Sequence, residues 1–241
     1  MYGLCCALLM AIASHRVLAI DMGYYNPVLL NGSMMTDSHE PVNVIISNRS
    51  DPRVMVESII GGGLYNYLAG AGFGGECFGL HMGGLQSIDL GDGTGTQIQK
   101  NILRYQYFHD PYLGTCLESI YGGNHVRVFK QETSGAYFLA TSAEQDSTTH
   151  HNLGWDAYDI GRNYFIGNST NVTIPEELTT HSTFSGHIEQ NKWRYMTNIT
   201  FVDGLLDTNR SLWNHFAQVQ EVGEEVSDGL VAILEIHVDK L

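Results

Sequence analysis

The chain has little positive charge: 12 Lys and Arg stand against 26 Asp and Glu in 241 residues, a formal net charge of −14. That excess opposes binding to phosphate backbones or to an anionic membrane, so nucleic acid is not an expected partner. It suits an exported protein in an acidic or calcium-containing medium. The apolar stretch from Leu4 to Ala13 is too short to span a bilayer. H-E-x-x-H, G-x-S-x-G and zinc-ribbon cysteine spacings are missing, and no motif calls for a cofactor. Linkers and internal repeats are missing too, so one domain is expected. The last residues, "LVAILEIHVDKL", alternate and carry neither a lipid-anchor signal nor an ER-retention tetrapeptide, which fits a released protein.

The N-terminal stretch has the length of a signal-peptide core, and Val17-Leu18-Ala19 supplies the residues a signal peptidase reads. Cleavage after Ala19 divides the chain into a signal peptide, 1–19, and one secreted domain, 20–241. Losing Arg16 with the leader makes the remainder one unit more negative. Cys5 and Cys6 go with it, leaving Cys77 and Cys116. A leftover pair in an exported chain reads as one disulfide. It would close a loop of about 40 residues, worth roughly 3–4 kcal/mol. N-glycosylation sequons start at Asn31, Asn48, Asn168, Asn171, Asn198 and Asn209, which agrees with a surface glycoprotein.

The hydrophobic patterning predicts the elements. "PVNVIIS" (41–47) is nearly continuous in apolar residues and reads as a strand covered on both faces. Asp51-Pro52 has the form of an N-cap with proline at the first helical position. "PRVMVESII" is therefore expected to start a helix that buries Val54, Ile59 and Ile60. "LYNYLAGAGF" predicts a second helix ended by glycines. "NILRYQYF", "TCLESIY", "HVRVFKQ" and "GAYFLATSAE" predict an antiparallel meander over 101–144. "WDAYDIGRNYFIGN" has helical spacing with Ala157, Ile160 and Tyr164 on one side. "KWRYMTNITFV" and "GLVAILEIHV" close the chain as strands. The expected class is α+β: a single domain with a mixed, largely antiparallel sheet and a few packed helices.

Candidate sites are few. "GAGFGG" matches G-x-G-x-x-G but follows a helix rather than a strand, so its glycines read as a helix end. Asp89 and Asp92 sit in "IDLGDGTG", where oxygen-rich turns can hold Ca²⁺. The EF-hand order is missing, and a tight turn is the alternative. His150 and His151 are adjacent; on a strand they would point to opposite faces and could not chelate one ion by themselves. "YGGNHVRVFKQ" (121–131) sets His125, Arg127 and Phe129 on one strand face and Val126 and Val128 on the other. Arg127 can hold a carboxylate or phosphate beside His125 as acid or base, or both can be structural. Asp159 and Arg162, three apart on a helix, can pair with each other.

The order of segments, with "GGLYNYLAGAGFGGECFGLHMG", "DPYLGTCLES", "GGNHVRVFKQ" and "HHNLGWDAYDIGRNYFIGN" among them, resembles a family of secreted proteins of mushroom-forming fungi. That family has no established activity, and the resemblance covers about residues 40–238. Its strand motif, G-G-N-H-F-R followed by an aromatic, appears here as Gly122-Gly123-Asn124-His125-Val126-Arg127 with Phe129 nearby. Its G-R-D appears here as Gly161-Arg162-Asn163. A fainter similarity links the chain to the LssY C-terminal domain. Three functions are compatible with these features. The first is a non-catalytic extracellular or cell-surface binding protein with an unidentified extracellular ligand. The second is an extracellular hydrolase around Asn124, His125, Arg127 and His151. The third is a carbohydrate or small-ligand binder using its Tyr- and Trp-containing loops.

Overall fold

A computed structural model of the protein describes residues 22–80, 83–208, 213–214 and 227–241. The predicted leader, 1–19, and the sequon at Asn209 lie outside the described residues.

Strand β1 (Val44–Ile46) is the hinge of the architecture. All three of its side chains are buried. Val44 and Ile46 join one core, and Ile45 joins a second core on the opposite face. A strand covered on both faces needs apolar residues at every position, which explains the unbroken run in the sequence. Around it runs an eight-stranded sheet in the order β2 (Phe73–Gly74), β5 (Asn101–Tyr105), β6 (Gly123–Lys130), β7 (Tyr137–Glu144), β1, β10 (Val231–Lys240), β9 (Trp193–Val202), β8 (Thr183–Gln190). Only β1 and β10 run parallel, with Val44 opposite Ala232; the other neighbours are antiparallel. β3 (Ser87–Asp89) and β4 (Thr96–Ile98) form a separate hairpin. The sheet and its helices make the α+β class that the pattern predicts.

Three α-helices occur among the described residues: α1 (Leu64–Gly70), α2 (Gly114–Tyr121) and α3 (Ala157–Thr170). α1 buries Leu64, Tyr67 and Leu68, the i, i+3, i+4 spacing of one face. α3 lies across β7 and supplies Phe165 and Ile166 to one core and Ala157 and Tyr158 to the other. Gly161 makes this close approach possible, because a Cβ there would lie 2.5 Å from the Ser142 backbone. None of the described helices is long and apolar enough to cross a membrane.

Four local expectations are corrected. Residues 52–60 form turns rather than a helix. The Asp51 carboxylate accepts from Arg53 N, and the carbonyls of Val56 and Ser58 accept from Leu64 N and Tyr65 N. Those carbonyls cap α1 and are not available to an upstream helix. Val54 is buried, but Ile59 and Ile60 are exposed. "TCLESIY" belongs to helix α2, not to a strand. His150 and His151 lie in a left-handed turn at φ 60° and 55°, not on a strand. α3 turns Tyr158, Arg162, Phe165 and Ile166 inward, while Ile160 is half-buried and Tyr164 is 58% exposed. The buried stripe of this helix includes an arginine, Arg162. The β8–β9 hairpin closes through Asn191 and Lys192, both at positive φ, as a two-residue turn requires.

Candidate functional site

The predicted residues divide between two faces of the sheet. Asn124 points to the helix side, where its amide donates to the Gly161 carbonyl at 2.9 Å. His125 and Arg127 share the other face but have separate partners. The Arg127 guanidinium donates to Glu40 at 3.0 Å and to Gln99 at 2.8 Å. Gln86, next to β3, donates its side-chain amide to the same Glu40; its backbone N–H donates to the Gln99 side chain, and its carbonyl accepts from Gln99 N. Arg127 thus ties the sheet to the β3–β4 hairpin and to the segment before β1. That is a structural role.

His125 faces a different group. The register sets Arg104 of β5 opposite His125 and Ser142 of β7 on its other side. Arg104 donates to Glu76 at 3.2 Å, to both oxygens of Glu118 at 3.1 and 3.2 Å, and to Glu144 at 2.9 Å. His125 Nδ1 lies 3.6 Å from one oxygen of Glu144, and His151 Nδ1 lies 3.7 Å from the other. The two predicted histidines therefore do converge, through Glu144. Gly122 and Gly123 make room for this. A Cβ on Gly122 would lie 2.4 Å from the Glu144 carbonyl, and one on Gly123 would lie 2.9 Å from Glu118 Cγ. One guanidinium cannot neutralise three carboxylates. Burial pushes Glu118 up to about 7, against the pull of Arg104 and with help from Glu144 and Glu76. The cluster can store a proton, but its residues are largely enclosed: Glu118 is fully buried and His125 is 2% exposed.

The Asp89 and Asp92 carboxylates serve turns. Asp89 accepts from Gly91 N, and Asp92 accepts from Thr94 and from Thr133 N. Among the described residues, no group of His, Cys, Asp and Glu is arranged to hold a metal ion. Cys77 and Cys116 form the disulfide, with Cα atoms 4.6 Å apart. The described sequon asparagines are all at least partly exposed. The Asn48 side chain already donates to the Ser134 carbonyl at 2.8 Å.

An open cleft lies elsewhere, along the outer side of α3. A cleft of about 590 Å³ runs from Trp155 and Asp156 past Ile160 and Tyr164 to the segment carrying Ile174 and Glu176. Trp155 is 52% exposed, and Tyr164 offers its ring on the same wall. Asn163, Asn168 and Asn171 add amides. Asp156 and Glu176 also line an adjoining acidic cavity of about 470 Å³ with Asp159, Glu177 and Asp228. Arg162 underlies this end, fully buried, with two bonds to Asp228 at 2.6 and 2.8 Å and one to the Leu230 carbonyl. The expected Asp159–Arg162 pair is present at 3.4 Å. Burial pushes Asp159 up to about 7, opposed by Arg162 and reinforced by Asp228. Burial also raises Asp156. The signal for this cleft in the sequence was "WDAYDIGRNY" itself, read there only as a helix with Ala157, Ile160 and Tyr164 on one side.

Comparison of the chain with protein-family models, curated proteins and solved structures gives no match. What is established is an α+β fold with one disulfide, a closed ionic cluster and an open aromatic cleft.

Proposed function

We propose that the protein is a secreted, non-catalytic glycoprotein that binds a carbohydrate or a similar hydroxylated small molecule in the cleft along α3. The observation that carries this reading is the pair of exposed rings, Trp155 and Tyr164, on one cleft with Asn163, Asp156 and Glu176. Flat rings cover the apolar face of a sugar, and amides and carboxylates take its hydroxyls. The acids at one end favour a neutral or amine-bearing sugar over an acidic one. The leader-like N-terminus, the sequons and the disulfide support export. So does the resemblance to secreted proteins of mushroom-forming fungi.

The test is calorimetric titration of deglycosylated protein with neutral, amine-bearing and acidic oligosaccharides, for the parent, Trp155→Ala and Tyr164→Ala. Each substitution is expected to weaken binding about tenfold, or about 1.4 kcal/mol. Equal affinity in all three proteins, or no binding by any sugar, defeats the proposal. Asn168 and Asn171 line the same cleft, so a glycan on either competes with the ligand, and glycosylated protein is expected to bind more weakly.

The hydrolase reading keeps one observation. The register places Ser142 opposite His125, with Glu144 beside the imidazole. Ser142 and His125 are both buried, which leaves a substrate no approach. Covalent labelling of Ser142 by a fluorophosphonate would favour the hydrolase over the binder.

A further inference from the structure

Helix α2 is turned inside out. Its buried residues are Gly114, Thr115 and Glu118. Leu113, Leu117, Ile120 and Tyr121, spaced i, i+4, i+7 and i+8, fall together on the opposite side, and Leu113, Ile120 and Tyr121 are exposed. An ordinary surface helix buries its apolar stripe. Here the inward anchor is ionic instead, and the disulfide sits on the outer side. Glu118 is gripped by Arg104, and Cys116 is tied to Cys77.

The neighbouring turns extend the apolar face. Phe78, next to Cys77, is 80% exposed at φ 50°, and Phe108 is 85% exposed at φ 60°. Left-handed backbone is costly for a bulky aromatic residue, so both rings are held outward against a local preference. Tyr107 contacts Phe108 and Tyr121 with ring centroids 6.3 and 6.4 Å apart, which joins the second turn to the helix. Leu80 and Tyr112 are exposed beside them. A contiguous exposed apolar patch of this kind marks an interaction surface.

The charges select the occupant. The sequence has no Lys or Arg between Arg53 and Lys100, nor between Arg104 and Arg127, the two stretches that build this face. Arg104 itself is engaged by three carboxylates. Asp110 stands at the N-terminal end of α2, where it accepts from Tyr112 N and Leu113 N. Asp146 opens the short 3-10 turn Ser147–Thr149, which packs against α2. Both are carboxylates on a chain of net charge −14. A second copy of the chain and an anionic bilayer are both repelled. We propose that this face docks an apolar protein segment edged with Lys or Arg, such as a basic amphipathic helix. The site is separate from the α3 cleft and does not depend on it.

The probe is a synthetic amphipathic helix of Leu and Lys, with a Leu and Glu peptide of the same pattern as its control. Binding is read by fluorescence anisotropy on the parent, on Phe78→Ser/Ile120→Ser and on Asp110→Asn/Asp146→Asn. Circular dichroism checks that each variant is folded; the apolar substitutions are at exposed positions. The Leu/Lys peptide is expected to bind saturably at one site. Binding should weaken about tenfold or more in the apolar variant, and less, with a flatter salt dependence, in the Asp variant. No binding of the Leu/Glu peptide is expected. Unchanged affinity in the apolar variant overturns the proposal, because the peptide then sits elsewhere on the acidic surface. Binding of neutral phosphatidylcholine vesicles without peptide binding overturns it in favour of a lipid surface. A dimer in sedimentation that Phe78→Ser/Ile120→Ser dissociates overturns it in favour of a second copy.

Discussion

Replacing Glu118 with glutamine tests the charge balance at the end of the sheet. The carboxyl is fully buried and shares Arg104 with Glu76 and Glu144. Burial raises its pKa from 4.5 to about 7; Arg104 opposes the rise, and the other two acids reinforce it. Between those values the folded chain keeps a proton that the unfolded chain has released. The stability this contributes is complete below about pH 4.5 and is lost as the pH rises through about 7. At 1.36 kcal/mol per pKa unit, the window is worth about 3 kcal/mol. For a domain of this size that is roughly 6–12 °C in melting temperature. Asp159, pushed up to about 7 mainly by burial, adds a slope of the same sign. The protein should therefore melt several degrees higher near pH 5 than near pH 7.5 in a fluorimetric scan. Glu118→Gln keeps the shape and a carbonyl for Arg104 but removes one charge. It should lose about half of that slope and be the more stable form near pH 7.5. A parent melting temperature that stays flat or rises over this range refutes the reasoning. So does a Glu118→Gln slope equal to the parent's.

Two further outcomes follow from buried geometry. Arg162→Met leaves Asp228 and Asp159 without their cation and should cost about 3–5 kcal/mol in urea unfolding. Adding Asp228→Asn should recover part of the loss. Gly161→Ala improves helix propensity by about 1 kcal/mol but drives a Cβ to 2.5 Å from the Ser142 backbone. Overpacking typically costs about 1–3 kcal/mol, so a lower unfolding midpoint is expected, not a higher one.

The elements legible in the sequence were those whose hydrophobic pattern matched their burial. β1 shows this, as do β6 with Val126 and Val128 on one side, α1 with Leu64, Tyr67 and Leu68, and the long final strands. α2 was misread because its inward side is Thr115 and Glu118 and its outward side is apolar. Periodicity reports which residues share a face, not which face turns inward. α3 was legible as a helix, but a fully buried arginine on its inward stripe was not. The candidate histidines were found, but their meeting at Glu144 was not.

By itself the sequence determined the α+β class, the Cys77–Cys116 pairing and a net charge of one sign. These follow from local pattern and composition, which survive without a partner in space. Only the tertiary structure decided that Arg104 gathers Glu76, Glu118 and Glu144, that Arg127 belongs to Glu40, and that Trp155 and Tyr164 open on one cleft. Each depends on residues from distant segments, and the energy of a buried charge is set by whichever neighbours the fold brings to it.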